Sequence, residues 1–75
     1  MIARIRELYW AKPFRPFTLH LADGESVTVS HPELMALSAN TKEAYVMDPD
    51  GAGHWVNLPQ ITKITVKSKK TNSAN

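Results

Sequence analysis

The stretch that decides the fold is residues 14–32, which read FRPFTLHLADGESVTVSHP. Apolar and polar residues alternate on both sides of Asp23-Gly24. A period of two is typical of β-strands that bury one face. The apolar sets are Phe17, Leu19 and Leu21 before the dipeptide, and Val27 and Val29 after it. The stretch therefore predicts a β-hairpin.

Two loop lengths compete for the turn of this hairpin. A two-residue loop of Asp23-Gly24 is a common hairpin connection. It would place Leu21 opposite Ser26, however, so that a core residue and a solvent residue would share one face of the sheet. The same conflict would recur at the next pairs along the ladder. The two-residue loop is therefore disfavoured.

A three-residue loop, residues 22–24, removes the conflict. Gly24 then ends a type I turn with a bulge, in the left-handed conformation that disfavours side chains. The predicted pairs are Phe17 with Val29, Thr18 with Thr28, Leu19 with Val27 and His20 with Ser26. We predict this register.

The chain before the hairpin predicts a short helix over residues 1–11. Its apolar residues fall on one stripe at helical spacing, and they are Ile2, Ile5, Leu8 and Tyr9. Pro13 disfavours helix at the residue before it, so the helix should end there. Trp10 lies near the edge of the stripe, where it would cap the core or contact a neighbouring subunit.

The chain after the hairpin predicts further short strands. The expected strands are residues 34–38, 43–47, 54–58 and 63–67. For the first of these, the lack of β-branched residues leaves a helical turn at residues 32–35 as an alternative. Ile61 differs in parity from Ile64 and Val66, and a helical turn at residues 59–62 would let all three be buried.

The resulting fold class is mainly β. We predict an N-terminal helix followed by a five-stranded antiparallel sheet, bent or closed into a small barrel, over residues 1–67. The count becomes six if the last, bent element is split at its turn. Short alternating strands with frequent turns are typical of such barrels, and closure would remove exposed sheet edges.

Length and composition predict one small domain without a covalent staple. The chain has 75 residues and no cysteine. A core of this size gives modest stability, and self-association is a common remedy. Arg4 and Arg6 interrupt the early apolar run, so we expect no signal peptide and a cytoplasmic location. Residues 68–75 contain one apolar residue and predict a disordered tail.

The basic character of the chain comes from its end. Residues 1–66 hold six Lys or Arg against seven Asp or Glu, and the remaining lysines are Lys67, Lys69 and Lys70. These lysines are candidate nucleic-acid contacts. Three lysines on a tail would give weak, salt-sensitive binding without sequence preference. A solubilising tail is the simpler interpretation.

The order of elements resembles the Sm-like barrel, which implies a small β-barrel and RNA binding. The chain also resembles a set of short bacterial proteins of unassigned activity, through Pro13–Phe17, Asp23-Gly24 and His31–Glu33. The RNA-binding residues of Sm proteins do not carry over. Residues 26–30 lack the expected glycine, residues 31–35 lack the expected asparagine, and a lysine-histidine motif is missing before the last strand.

No motif in the sequence indicates a catalytic, cofactor-binding or metal-binding site. His20, His31 and His54 lack the spacing of zinc ligands, and no nucleophile or phosphate-binding motif is present. We therefore expect no enzyme, and no catalytic, cofactor or metal site. The expected function is a self-associating protein-interaction or scaffold module, with a homo-oligomer interface at Trp10, Tyr45 and Trp55. An Sm-like RNA-binding protein is the alternative.

Overall fold

The computed structural model describes residues 2–40 and 42–67. The helix α1 spans Ile2–Tyr9. The strands of the described residues are β1 (Phe17–Leu21), β2 (Ser26–Val29), β3 (Met35–Leu37), β4 (Glu43–Met47), β5 (Gly53–Asn57) and β6 (Ile61–Val66). Short 3₁₀ helices at Pro32–Leu34 and Leu58–Gln60 lead into β3 and β6.

The helix α1 buries the stripe that the sequence predicts. Ile5 and Leu8 are buried, and Ile2 and Tyr9 pack at the margin of the core. The Tyr9 hydroxyl donates to the carbonyl of Met35 at 3.2 Å, which ties the end of the helix to β3. An isolated helix of eight residues is marginal in water. These contacts are therefore what holds α1 in place.

The first sheet has the order β2-β1-β6 and contains the predicted hairpin. Its register is confirmed at all four pairs: Phe17 with Val29, Thr18 with Thr28, Leu19 with Val27 and His20 with Ser26. Gly24 has a φ of +92°, so the three-residue loop is confirmed as well. The amide of Gly24 donates to the carbonyl of Leu21 at 3.0 Å.

A β-bulge in β6, which the sequence did not indicate, places Ile61 on the same face as Ile64 and Val66. The expected helical turn lies earlier, at Leu58–Gln60, and Ile61 already pairs with Leu21 in the sheet. The next pair is His20 with Lys63, so Thr62 is the extra residue of a β-bulge. The bulge turns Ile61 inward together with the later apolar residues of β6.

The second sheet has the order β3-β4-β5. Strand β4 has the predicted bounds, β5 begins and ends one residue earlier than predicted, and the alternative helical turn before β3 is present. The inner face of this sheet joins the core through Met35, Ala44, Val46 and Val56, while Tyr45 and Trp55 lie on the outer face.

The five-stranded sheet and the closed barrel predicted from the sequence are not found. The described residues form six strands in two three-stranded sheets, and the hydrogen-bonded ladders do not close. The chain bends sharply at the 3₁₀ helix Pro32–Leu34, so β3 pairs with β4 and leaves β2 in the other sheet. The two sheets face one another across a shared core.

Two further predictions from the sequence concern the C-terminal tail and the location of the protein. The predicted tail, residues 68–75, lies outside the described residues. In the described part of the chain, no helix is long and apolar enough to cross a membrane.

Candidate functional site

Two of the predicted interface residues form an aromatic pair on the second sheet. Tyr45 of β4 lies directly opposite Trp55 of β5, with ring centroids 5.0 Å apart in an edge-to-face arrangement. Trp55 is 75% exposed, more than any other large apolar residue described. Such a pair is more typical of an interface than of an ordinary solvent face, because tryptophan and tyrosine are enriched at binding hot spots.

The ring of Tyr45 lies over Gly53, which has no side chain. A Cβ at residue 53 would overlap the hydroxyl and ring of Tyr45, so Gly53 provides the space in which that ring lies. The aromatic surface is defined here by the outward residues of the sheet around this pair. They are Ala36, Tyr45, Met47, Gly53 and Trp55.

Two hollows border the aromatic surface. One, of about 410 Å³, lies beside Trp55 and Glu43, and a smaller one, of about 100 Å³, lies between Tyr45, Met47 and Glu33. Both are open to solvent and do not enclose a ligand. The surface therefore fits a flat macromolecular partner better than a small molecule.

The loop between β4 and β5 is ordered by its own polar residues. The Asp48 carboxylate accepts a hydrogen bond from Nε2 of His54 at 3.0 Å, and the Asp48 amide donates to the carbonyl of Ala52 at 2.7 Å. The Asp50 carboxylate accepts from the amide of Ala52 at 3.2 Å. These bonds set the start of β5 and hence the position of Trp55.

Trp10, the third predicted interface residue, lies apart from the aromatic pair. It is 68% exposed and borders a groove of about 460 Å³ at the end of α1. The other groove residues are Tyr9, Ala11, Lys12, Phe14, Pro32 and Glu33. Glu33 also borders the small hollow beside Tyr45, so the groove and the aromatic surface adjoin.

The outer face of the first sheet is rich in hydroxyls. The Thr18 and Thr28 hydroxyls share a hydrogen bond of 2.9 Å, and His20 Nε2 lies 2.9 Å from the Thr65 hydroxyl oxygen. An open hollow of about 440 Å³ on this face is lined by Pro16, Thr18, Thr28, Ser30, Thr65 and Lys67, with no carboxylate among them. We call this the hydroxyl face.

Two lysines flank the hydroxyl face. Lys67 is at its margin, where its amide donates to the carbonyl of Pro16 at 2.8 Å, and Lys63 pairs with His20 at the other end. Of the predicted nucleic-acid contacts, only Lys67 is described, since Lys69 and Lys70 lie outside the described residues. Lys63 was not among the residues predicted from the sequence. Lys63 and Thr65 are two residues apart on one strand, and this spacing would have placed both on one face.

The histidines do not complete a catalytic or metal-binding constellation in the described residues. His20 contacts the Thr65 hydroxyl without a described carboxylate partner, and His54 contacts Asp48 without a described hydroxyl. A hydrolytic triad needs all three groups in series. Within residues 2–40 and 42–67, no group of three or more His, Cys, Asp or Glu could hold a metal ion.

Comparison with known proteins gave no match: no family model fits the chain, and no curated protein or solved structure is significantly similar to it. The candidate function therefore rests on the geometry of this chain.

Proposed function

We propose that this protein is a non-enzymatic, self-associating interaction module of which the aromatic surface is the contact face. The observation that carries the proposal is Trp55, which is 75% exposed and packed edge-to-face on Tyr45. Leaving an indole in water forgoes its hydrophobic stabilisation, and burying it against a partner recovers that free energy. A 75-residue chain without cysteine gains stability from such burial.

The non-enzymatic part of the proposal is supported by the shape of the molecule. The aromatic surface and the hydroxyl face are open, and in the described part of the chain the rings of His20 and His54 each bond to one side chain, Thr65 and Asp48. An enzyme site usually combines a concave pocket with converging polar groups. An interaction surface needs neither.

Trp55→Ser is expected to weaken self-association strongly. An interfacial tryptophan commonly contributes 2 kcal/mol or more, so the dissociation constant should rise by about thirtyfold or more. Light scattering over a concentration series would measure this change. The fold should survive, because the side chain contacts solvent on most of its surface.

Trp10→Ser is the matched control, since it removes an equally bulky and similarly exposed indole from a different place. Its dissociation constant should stay within about threefold of that of the parent chain. If Trp10→Ser abolished association while Trp55→Ser left it intact, the groove at the end of α1 would be the contact face, and the assignment to the aromatic surface would be wrong.

RNA binding of an Sm-like kind is the second candidate, and the hydroxyl face is the observation that favours it. Threonine and serine hydroxyls and lysine side chains are common ligands of the phosphate backbone. The hollow on this face is free of carboxylates and has Lys67 at its margin. Among the described residues the face offers no Phe, Tyr or Trp ring for base stacking, so binding through its hydroxyls and lysines would be largely independent of sequence.

The second candidate predicts salt-dependent binding of single-stranded RNA with a dissociation constant of about 10⁻⁴ to 10⁻⁶ M. A filter-binding titration would measure it. Exchanging Lys63 and Lys67 together for Gln should flatten the salt dependence, while Lys42→Gln, outside the face, should not. Affinity weaker than roughly 10⁻⁴ M at low salt would dismiss RNA as the ligand.

A further inference from the structure

We infer that the partner at the aromatic surface is a second copy of this chain, joined through the free edge of β5 in an antiparallel pairing with Trp55 on the two-fold axis. This inference rests on the proposed self-association and adds its symmetry and register. The pairing would extend the second sheet from three strands to six across the two copies. Three observations support this pairing: the direction of the β5 backbone groups, the lower availability of the other edge strands for pairing, and the sequence of β5.

The direction of the β5 backbone groups follows from two hydrogen bonds. The Leu58 amide donates to the carbonyl of Lys42 at 2.9 Å, and the Asp48 amide donates to the carbonyl of Ala52 at 2.7 Å. Groups directed to the neighbouring strand alternate along an antiparallel ladder. His54 and Val56 therefore bond to β4. The amides and carbonyls of Gly53, Trp55 and Asn57 are directed to the outer edge of the sheet, where no other described strand pairs with β5.

The other edge strands are less available for pairing. On β3, the Met35 carbonyl accepts from the Tyr9 hydroxyl and the Met35 amide donates to the carbonyl of Pro32. Strand β2 is only four residues long and lies against β4 of the other sheet. Strand β6 carries a bulge and Lys63. Short strands, bulges and lysines are the usual means by which proteins protect their sheet edges.

Strand β5 lacks these protections. Its sequence, Gly-His-Trp-Val-Asn, holds no Lys, Arg, Asp, Glu or Pro, and the β4–β5 register has no bulge. Two copies placed antiparallel about Trp55 would pair Trp55 with Trp55, and Gly53 with Asn57. In this register the outward amides and carbonyls of Gly53, Trp55 and Asn57 can all form hydrogen bonds with those of the second copy. The edge is therefore self-complementary, as a two-fold interface requires.

The side chains support the same register. Pairing about Trp55 places both indoles on one face and next to one another, and each already packs on a tyrosine. The outcome is a continuous row of four rings, Tyr45-Trp55-Trp55-Tyr45, across the two copies. Gly53 would face Asn57 of the second copy, so no like charges meet. A partner of different sequence would not need this symmetry.

Asn57→Pro tests the edge without touching the aromatic rings. Its amide is directed away from β4, so proline removes no hydrogen bond of the single chain, and the φ of −88° is near the proline range. Circular dichroism should show an unchanged fold. We expect a dissociation constant raised roughly tenfold or more, because two edge hydrogen bonds of the dimer are lost.

Cysteine substitutions test the register, since the chain has no cysteine of its own. In the inferred pairing the two Trp55 Cα atoms lie about 5.5 Å apart, within the roughly 4.4–6.8 Å that a disulfide spans. The two Asn57 Cα atoms lie roughly 13 Å apart, four residues along the strand. Because Trp55→Cys removes the indole that carries association, mild oxidation is run at a chain concentration above its raised dissociation constant. Trp55→Cys should then form a covalent dimer, and the control Asn57→Cys, which keeps the indole, should not.

The outcomes separate the pairing from the proposed function. A parent chain that self-associates, with the dissociation constant of Asn57→Pro unchanged or with Asn57→Cys forming a covalent dimer, would overturn the β5 pairing and leave self-association standing. Assemblies of more than two copies, joined in a ring by unlike edges, would also overturn it. A parent chain that stays monomeric at about 100 μM would overturn both.

Discussion

Phe17→Ala is expected to destabilise the fold by about 3–5 kcal/mol, the usual loss for a buried phenylalanine. Phe17 is 1% exposed and lies in the middle strand of the first sheet, opposite Val29 on one side and Val66 on the other. Its ring also packs on that of Phe14, with centroids 5.8 Å apart. A domain near the low end of about 5 kcal/mol would retain little of its stability.

Denaturant unfolding at one fixed protein concentration would measure this loss, because self-association makes stability depend on concentration. Thr18→Ala is the matched control on the same strand. It faces the other way and loses one hydrogen bond to Thr28, so it should cost no more than about 1.5 kcal/mol. A Phe17→Ala chain as stable as its parent would mean that the faces of the hairpin are reversed.

Gly24→Val is expected to be the most damaging substitution in the hairpin loop. Gly24 has a φ of +92°, and a Cβ there would meet no atom within 4 Å. The cost is therefore conformational and not steric crowding by neighbours. It is roughly 1–2 kcal/mol for an ordinary residue in the left-handed region, and branching at Cβ makes it larger.

The order of damage at residue 24 should be Val, then Ala, then Asn, because asparagine tolerates positive φ. Asp23→Ala should cost less than Gly24→Val, since it removes only the carboxylate that accepts from the Glu25 amide at 2.9 Å. Thermal melts of the four variants would rank them. Equal melting temperatures for Gly24→Val and the parent chain would contradict the left-handed assignment.

The hairpin could be predicted because the alternation of its two strands requires an odd number of loop residues, and three is the commonest such length. Of the two-residue and three-residue loops, only the second places Leu19 and Val27 on one buried face, and it needs a residue that tolerates positive φ, which Gly24 supplies. The pairing of the apolar faces and the conformational preference of Gly24 thus led to the same loop. Strand β4 was equally clear, since its apolar run, residues 44–47, lies between turns rich in Asn, Asp and Gly.

The partition into two sheets could not be predicted in the same way. It depends on how sharply the chain bends between β2 and β3, and residues 30–34 are compatible with a strand corner or a 3₁₀ turn. The bulge at Thr62 was missed for a related reason. A parity mismatch such as that of Ile61 shows that the strand is irregular, but a helical turn and a bulge both repair it.

The aromatic surface was predicted in part. The sequence indicates that Tyr45 and Trp55 lie on neighbouring short strands, but their contact requires the register of β4 with β5. That register depends on the loop at residues 48–52, whose polar contacts involve Asp48, Asp50 and His54. A loop rich in turn formers permits several lengths. Gly53 gave no signal in the sequence beyond its place directly after the turn-forming residues 48–52.

Sedimentation equilibrium of the unaltered chain tests the central claim most directly. At about 100 μM, self-association predicts a mass that rises with concentration towards twice the chain mass of 8.4 kDa. The fraction of monomer should rise as the chain concentration is lowered. A mass that stays at that of one chain at every concentration up to about 100 μM would contradict the account.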